Sequence, residues 1–119
     1  MNFQSLAIVV LVLFAFVAKI QAIEGGYSPI GNINDPHVIE IANFAVTEYD
    51  KKSGATLKLK KIIKGESQVV DGTNYRLTFS ADLSSTISKV YEAIVYETLN
   101  KSTRKLTSFR LVAYGIVHA

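Results

Sequence analysis

After Gly54 the hydrophobic period of the chain changes from 3.6 residues to 2, and this switch decides what the chain can fold into. Before it, Val38, Ile41, Ala42, Ala45, Val46 and Tyr49 recur at the spacing of a single α-helical stripe, with Phe44 at its margin. Asp35-Pro36 supplies an N-cap and a first-turn proline. Lys51-Lys52 complements the negative end of the helix dipole, and Gly54 supplies the stop. After it, Leu57 and Leu59 alternate with Lys58 and Lys60. Three further alternating runs follow, at Tyr75 to Asp82, Val90 to Tyr96 and Phe109 to Tyr114. Asp71-Gly72 is a two-residue hairpin signal between the first two runs, and LNKSTRK is a longer polar loop between the last two. One helix followed by a four-stranded antiparallel meander is an α+β arrangement, because the sheet is the only surface against which the helix stripe can be buried.

The sequence divides into two unequal parts. Leu6 to Ala18 is an apolar run of 13 residues, shorter than the roughly 20 that span a bilayer as a helix. With the small residue Ala22 behind it, the run reads as a secretory signal peptide over residues 1–22. Residues 23–119 are then the mature domain, and its first stretch, 23–34, is rich in Gly, Ser, Pro and Asn and reads as an irregular, mobile arm. The expectation is a secreted or vacuolar protein, free of the membrane once the leader is removed. The net charge is +3, one unit of it from Lys19 in the leader, too little to imply a nucleic-acid partner. There is no cysteine, so no disulfide framework, thiol nucleophile or cysteine-ligated metal is available.

Catalytic chemistry finds little to work with. His37 and His118 have no ligand spacing to each other and read as ordinary exposed side chains. No carboxylate pair suggests an acid–base couple, and no glycine loop suggests a phosphate site. Lys58, Lys60, Lys61 and Lys64 read as a solvated strand face. A binding protein without cofactor or metal is expected, not an enzyme.

Three segments together resemble the cystatin family, and its plant branch in particular. Ile41-Ala42-Asn43-Phe44-Ala45-Val46-Thr47-Glu48-Tyr49-Asp50 is similar to the helix signature of plant cystatins, departing from the usual residue types at Asn43 and Asp50. Gln68-Val69-Val70-Asp71-Gly72 fits the family's Gln-x-Val-x-Gly loop in full, and Gly25-Gly26 stands where the family has its N-terminal glycine. The resemblance implies a five-stranded antiparallel sheet wrapped around the helix, the fifth strand drawn from the arm. It also implies a reversible competitive inhibitor of papain-like cysteine proteases, with a part in plant defence. Three segments would form a wedge that enters the protease cleft: the arm at Gly25 and Gly26, with Ile23 and Glu24 reaching the non-primed subsites; Gln68, Val69, Val70, Asp71 and Gly72 over the catalytic residues; and the second hairpin.

The sequence departs from the family in that second hairpin. Leu99 and Asn100 occupy the positions of the family's Pro-Trp pair, and the chain has no tryptophan. An interface Trp often contributes ~2 kcal/mol or more, so weaker binding, led by the arm and the first loop, is expected. Asn100-Lys101-Ser102 is also an N-glycosylation sequon. The alternative is a cystatin-fold binding or storage protein with weak or no inhibition. The chain is expected as a monomer, with a domain-swapped dimer the other option if the first hairpin opens.

Overall fold

The computed structural model describes residues 26–116. The proposed leader, Ile23, Glu24, Gly25 and His118 lie outside the described residues. The elements are β1 (Ser28–Pro29), α1 (Pro36–Ser53), β2 (Lys58–Val69), β3 (Thr73–Asp82), β4 (Ile87–Glu97) and β5 (Arg104–Ile116). The strands form one antiparallel sheet in the order β1-β2-β3-β4-β5. The α+β expectation holds, including the fifth strand.

Helix α1 starts and stops where its residues dictate. The Asp35 carboxylate accepts from His37 N–H at 2.9 Å, and Pro36 takes the position whose N–H would have had no partner. Gly54 ends the helix at φ 77°, its N–H donating to the Asp50 carbonyl at 2.9 Å. Val38, Ile41, Ala42, Ala45 and Val46 are buried against Leu77, Phe79, Ala81, Tyr91, Ala93 and Val95 of the sheet. The small residues Ala42 and Ala45 let the sheet approach the helix closely, so that Phe79 and Leu77 fill the space between. Tyr49 completes the stripe at its edge, stacked on Phe109 with ring centroids 4.0 Å apart.

Simple alternation fails in two strands. Lys60 and Ile63 are extra residues in β2 relative to β3, and Thr107 and Val112 are extra in β5 relative to β4. Each bulge bends and twists its strand, and together they curl the sheet around α1. Ile62 and Gly65 stay on the core side while Lys58, Lys60, Lys61 and Lys64 are all exposed, the solvated face expected of them. Ile63, displaced by its bulge, is exposed, and so is Leu111 beside the Val112 bulge.

The arm is tied down from Ser28 onward. Ser28 and Pro29 pair with Ser67 and Glu66, Ile30 N–H donates to the Gly65 carbonyl at 2.9 Å, and Ile30 and Ile33 pack on the core. The stretch 28–34, read from its composition as irregular arm, is therefore an edge strand with an apolar anchor.

Candidate functional site

The β2–β3 hairpin has three loop residues, not the two that Asp71-Gly72 suggested. Cross-strand pairs set the register: Arg76 Nε donates to Glu66 at 2.9 Å and Asn74 Nδ2 to Gln68 at 3.1 Å, so Val69 faces Thr73 and Val70 to Gly72 remain. Val70 N–H turns to the Gly72 carbonyl at 2.9 Å, outside the ladder. Asp71 and Gly72 both take positive φ, 54° and 124°. The second value is open only to glycine without strain.

This geometry puts the apolar residues outside. Val69 is 78% exposed and Val70 44%, at the tip of a hairpin where a turn alone would favour polar residues. Their β-branched side chains have few rotamers to lose when another surface covers them. Gln68 is half-buried and Gly72 is buried. Gly72 is covered by Tyr96 of β4, whose hydroxyl donates to the Asp71 carbonyl.

Tyr96 also faces the second loop, 98–103. A groove of about 380 Å³ is lined by Asp71 from the first hairpin and by Tyr96, Thr98, Leu99, Asn100 and Ser102 from the second. Leu99 is 70% exposed there. Asn100 organises the turn: its Oδ1 accepts from Thr98 Oγ1 at 2.9 Å, Ser102 N–H at 3.1 Å and Ser102 Oγ at 2.6 Å. The fold thus brings Val69, Val70, Asp71, Gly72, Leu99 and Asn100 to one end of the sheet. Of the arm glycines only Gly26 is described. Its φ of 49° is a left-handed turn just before Tyr27.

Below the second loop sits a charge cluster. Glu97 closes β4 and is 2% exposed, on the core side with Tyr91, Ala93 and Val95. Its carboxylate accepts from Arg104 Nε at 2.9 Å, across the base of the loop, and from His37 Nε2 at 2.8 Å, in the first turn of α1. Arg104 also donates to Glu40. Burial pushes the Glu97 carboxyl up, but the hydrogen bonds and charges of Arg104 and His37 outweigh it and hold it below the usual carboxylate range. His37 is therefore a structural partner of a buried carboxylate, not the ordinary exposed side chain expected of it.

Sequence reasoning missed Tyr96, Glu97 and Arg104. Glu97 carried a signal: it shares the parity of Tyr91, Ala93 and Val95, and a charge on the apolar face of a strand requires a partner. Among the described residues no cluster of His, Cys, Asp or Glu is arranged to hold a metal.

Comparison with known proteins matches this arrangement to protease inhibitors. The family model "SQAPI: Aspartic acid proteinase inhibitor" matches residues 30–112. "Cysteine proteinase inhibitor 5" of Arabidopsis thaliana is 49% identical over 105 residues, 88% of this chain and 84% of that one. A salivary cystatin of the soft tick Ornithodoros moubata shares the fold, with TM-score 0.63 at 19% identity, covering 73% of this chain and 96% of that one. The squash aspartic acid proteinase inhibitor superposes with TM-score 0.58 at 28% identity, over 71% of this chain and 90% of that one. With a cystatin fold, and this degree of identity across most of the length of a plant relative, the chain belongs to the plant cysteine proteinase inhibitors, the phytocystatins.

Proposed function

We propose that this chain is a reversible, competitive inhibitor of papain-like cysteine proteases. It blocks the active-site cleft with Gly25-Gly26 of the arm, the hairpin Gln68-Val69-Val70-Asp71-Gly72, and the loop carrying Leu99 and Asn100. The observation that carries the reading is the hairpin tip, where two rigid, exposed valines stand on a loop braced by Tyr96. Desolvating such a tip in an apolar cleft supplies affinity at low entropy cost. The inhibitor itself performs no chemistry: no peptide bond has to be offered to the nucleophile, so occupancy alone excludes substrate.

Papain assayed with rising inhibitor should show a higher apparent KM at constant kcat. Val69→Asp should weaken inhibition by about 100-fold, because a carboxylate would be desolvated without a partner in the cleft. It should leave the melting temperature nearly unchanged, since Val69 is exposed. Full inhibition by the Val69→Asp protein would refute the wedge.

The squash likeness favours a second reading, inhibition of an aspartic proteinase. Pepsin assayed beside papain separates the two. A folded chain that inhibits neither would support the binding or storage reading, which the Leu99-Asn100 departure leaves open.

The proposal extends to secretion and to Asn100. This residue is exposed, in a sequon, with the Ser102 hydroxyl on its side-chain amide. Protein secreted from a plant or insect host should lose the mass of one N-glycan on glycosidase treatment, and Ser102→Ala should abolish the glycan. Papain inhibition should strengthen once the sugar no longer shields the loop. An unchanged mass on secreted protein would rule the modification out.

A further inference from the structure

We infer that Arg76, held by Glu66, is a positioning residue for the arm: it pins Tyr27 to the outer face of the sheet and fixes the direction in which the chain leaves Gly26. The inference rests on the inhibitory reading and deepens it, assigning to the wedge a residue of β3 that lies outside the hairpin loop.

The strand ladder alone holds the arm weakly. β1 has two residues, and one of them, Pro29, has no N–H to donate. Pairing of Ser28 with Ser67 and of Pro29 with Glu66 leaves Tyr27 one step beyond the ladder, towards Gln68 and the hairpin tip. What holds Tyr27 there is a side chain. The Arg76 guanidinium carbon lies over its ring, 4.0 Å from the centroid, where the negative face of the aromatic attracts a cation. Arg76 is itself oriented by its 2.9 Å bond to Glu66, a carboxylate that also has Lys64 at 3.9 Å. Glu66 faces Pro29 on one side and Arg76 on the other in the strand register, so a single β2 residue ties the clamp to β1 and β3.

The protonation energetics agree with this geometry. The hydrogen bond from Arg76 is the main reason the Glu66 carboxyl lies below its usual range. The Tyr27 hydroxyl is pushed up by burial, which Arg76 only partly offsets. The shifts of Glu66 and Arg76 both favour their charged forms, and so the ion pair that orients the guanidinium. Gly26, in its left-handed turn, immediately precedes this fixed point. With Tyr27 held in place, less freedom of Gly26 and Tyr27 remains to be lost when a protease covers them.

The test uses Arg76→Gln, which removes the cation, and Arg76→Lys, which keeps it. Hydrogen exchange followed by mass spectrometry reads the clamp without any protease. In Arg76→Gln, exchange over residues 26–30 should rise about tenfold while helix 36–53 is unchanged, and Arg76→Lys should restore most of the protection. Papain inhibition reads the consequence. Arg76→Gln should raise Ki about tenfold in the chain carrying its arm and less than twofold in a chain beginning at Tyr27. The shortened chain keeps the whole core, which lies between Ile30 and Phe109. Unchanged exchange in Arg76→Gln overturns the inference. So does an equal loss of inhibition with and without the arm, which would mean general destabilisation. If the parent protein fails to inhibit papain, the proposed function falls, and the exchange result alone upholds or overturns the clamp.

Discussion

Replacing Glu97 with alanine should cost about 3–5 kcal/mol of folding stability, the penalty for removing one partner of a buried ion pair. Glu97 is 2% exposed and receives hydrogen bonds from both Arg104 and His37. Without it, Arg104 keeps the Glu40 carboxylate, on the solvent side, and His37 loses its hydrogen bond from α1 to the sheet, keeping the edge contact of its ring with Tyr75. Urea unfolding at pH 7 should show the loss as a lower midpoint with an unchanged slope. For a domain of this size the melting temperature should fall by about 15–25 °C. A change below about 1 kcal/mol would show that water reaches Arg104 and His37 once Glu97 is gone, so that no charge is left buried without a partner.

The same residue sets part of the acid limb of stability. The Glu97 carboxyl titrates lower in the fold than its ordinary value of 4.5, so the fold binds the charged form more strongly than the unfolded chain does. Its contribution is fully present above that ordinary value and is lost as pH falls through the lower, folded value. Stability measured from pH 6 to pH 3 should therefore fall at the acid end. Glu97→Gln, which keeps an acceptor but does not titrate, should flatten that fall. The consequence reaches the second loop, because Glu97 and Arg104 close its base.

The helix and its caps were legible because every signal in them is local. Asp35, Pro36 and Gly54 act within a few residues of themselves, and the stripe from Val38 to Tyr49 needs no partner to be recognised. The bulges at Lys60, Ile63, Thr107 and Val112 were not legible, because an extra residue is defined only against the strand it fails to match. The three-residue hairpin loop was hidden for the same reason: its register is set by Gln68 with Asn74 and Glu66 with Arg76, pairs that exist only once the strands have met. At the site, the valine tip and the glycine could be read from a five-residue motif. The residues that hold the tip could not. Tyr96 is 25 residues from the Asp71 carbonyl it binds, and His37 is 60 from Glu97. Motif residues are those that would meet the partner; their supports are chosen by packing, which many sequences satisfy.

That division makes Gly72→Ala a sharp test of whether the support matters. A Cβ at Gly72 would overlap the Tyr96 hydroxyl and lie 2.7 Å from the Glu97 carbonyl oxygen, closer than real Cβ contacts come. Its φ of 124° adds a strain of order 1–3 kcal/mol that no rearrangement of Tyr96 can relieve. The loop must therefore move, breaking the Tyr96 bond to Asp71 and shifting Val69 and Val70 relative to Leu99. Inhibition of papain should weaken by about 100-fold, with most of the loss in a faster dissociation rate. Tyr96→Ala should lose about tenfold by itself, through a looser loop rather than a displaced one. Combining the two separates the clash with the Tyr96 ring from the backbone contributions, the strained φ and the Glu97 carbonyl contact. If the clash with Tyr96 dominates, the double variant should recover to near the Tyr96→Ala level; if the backbone strain or the contact with the Glu97 carbonyl dominates, it should remain as weak as Gly72→Ala. Inhibition unaffected by Gly72→Ala in a folded protein would mean that the hairpin tip does not enter the cleft in the conformation described here, and that the contact edge lies with the arm.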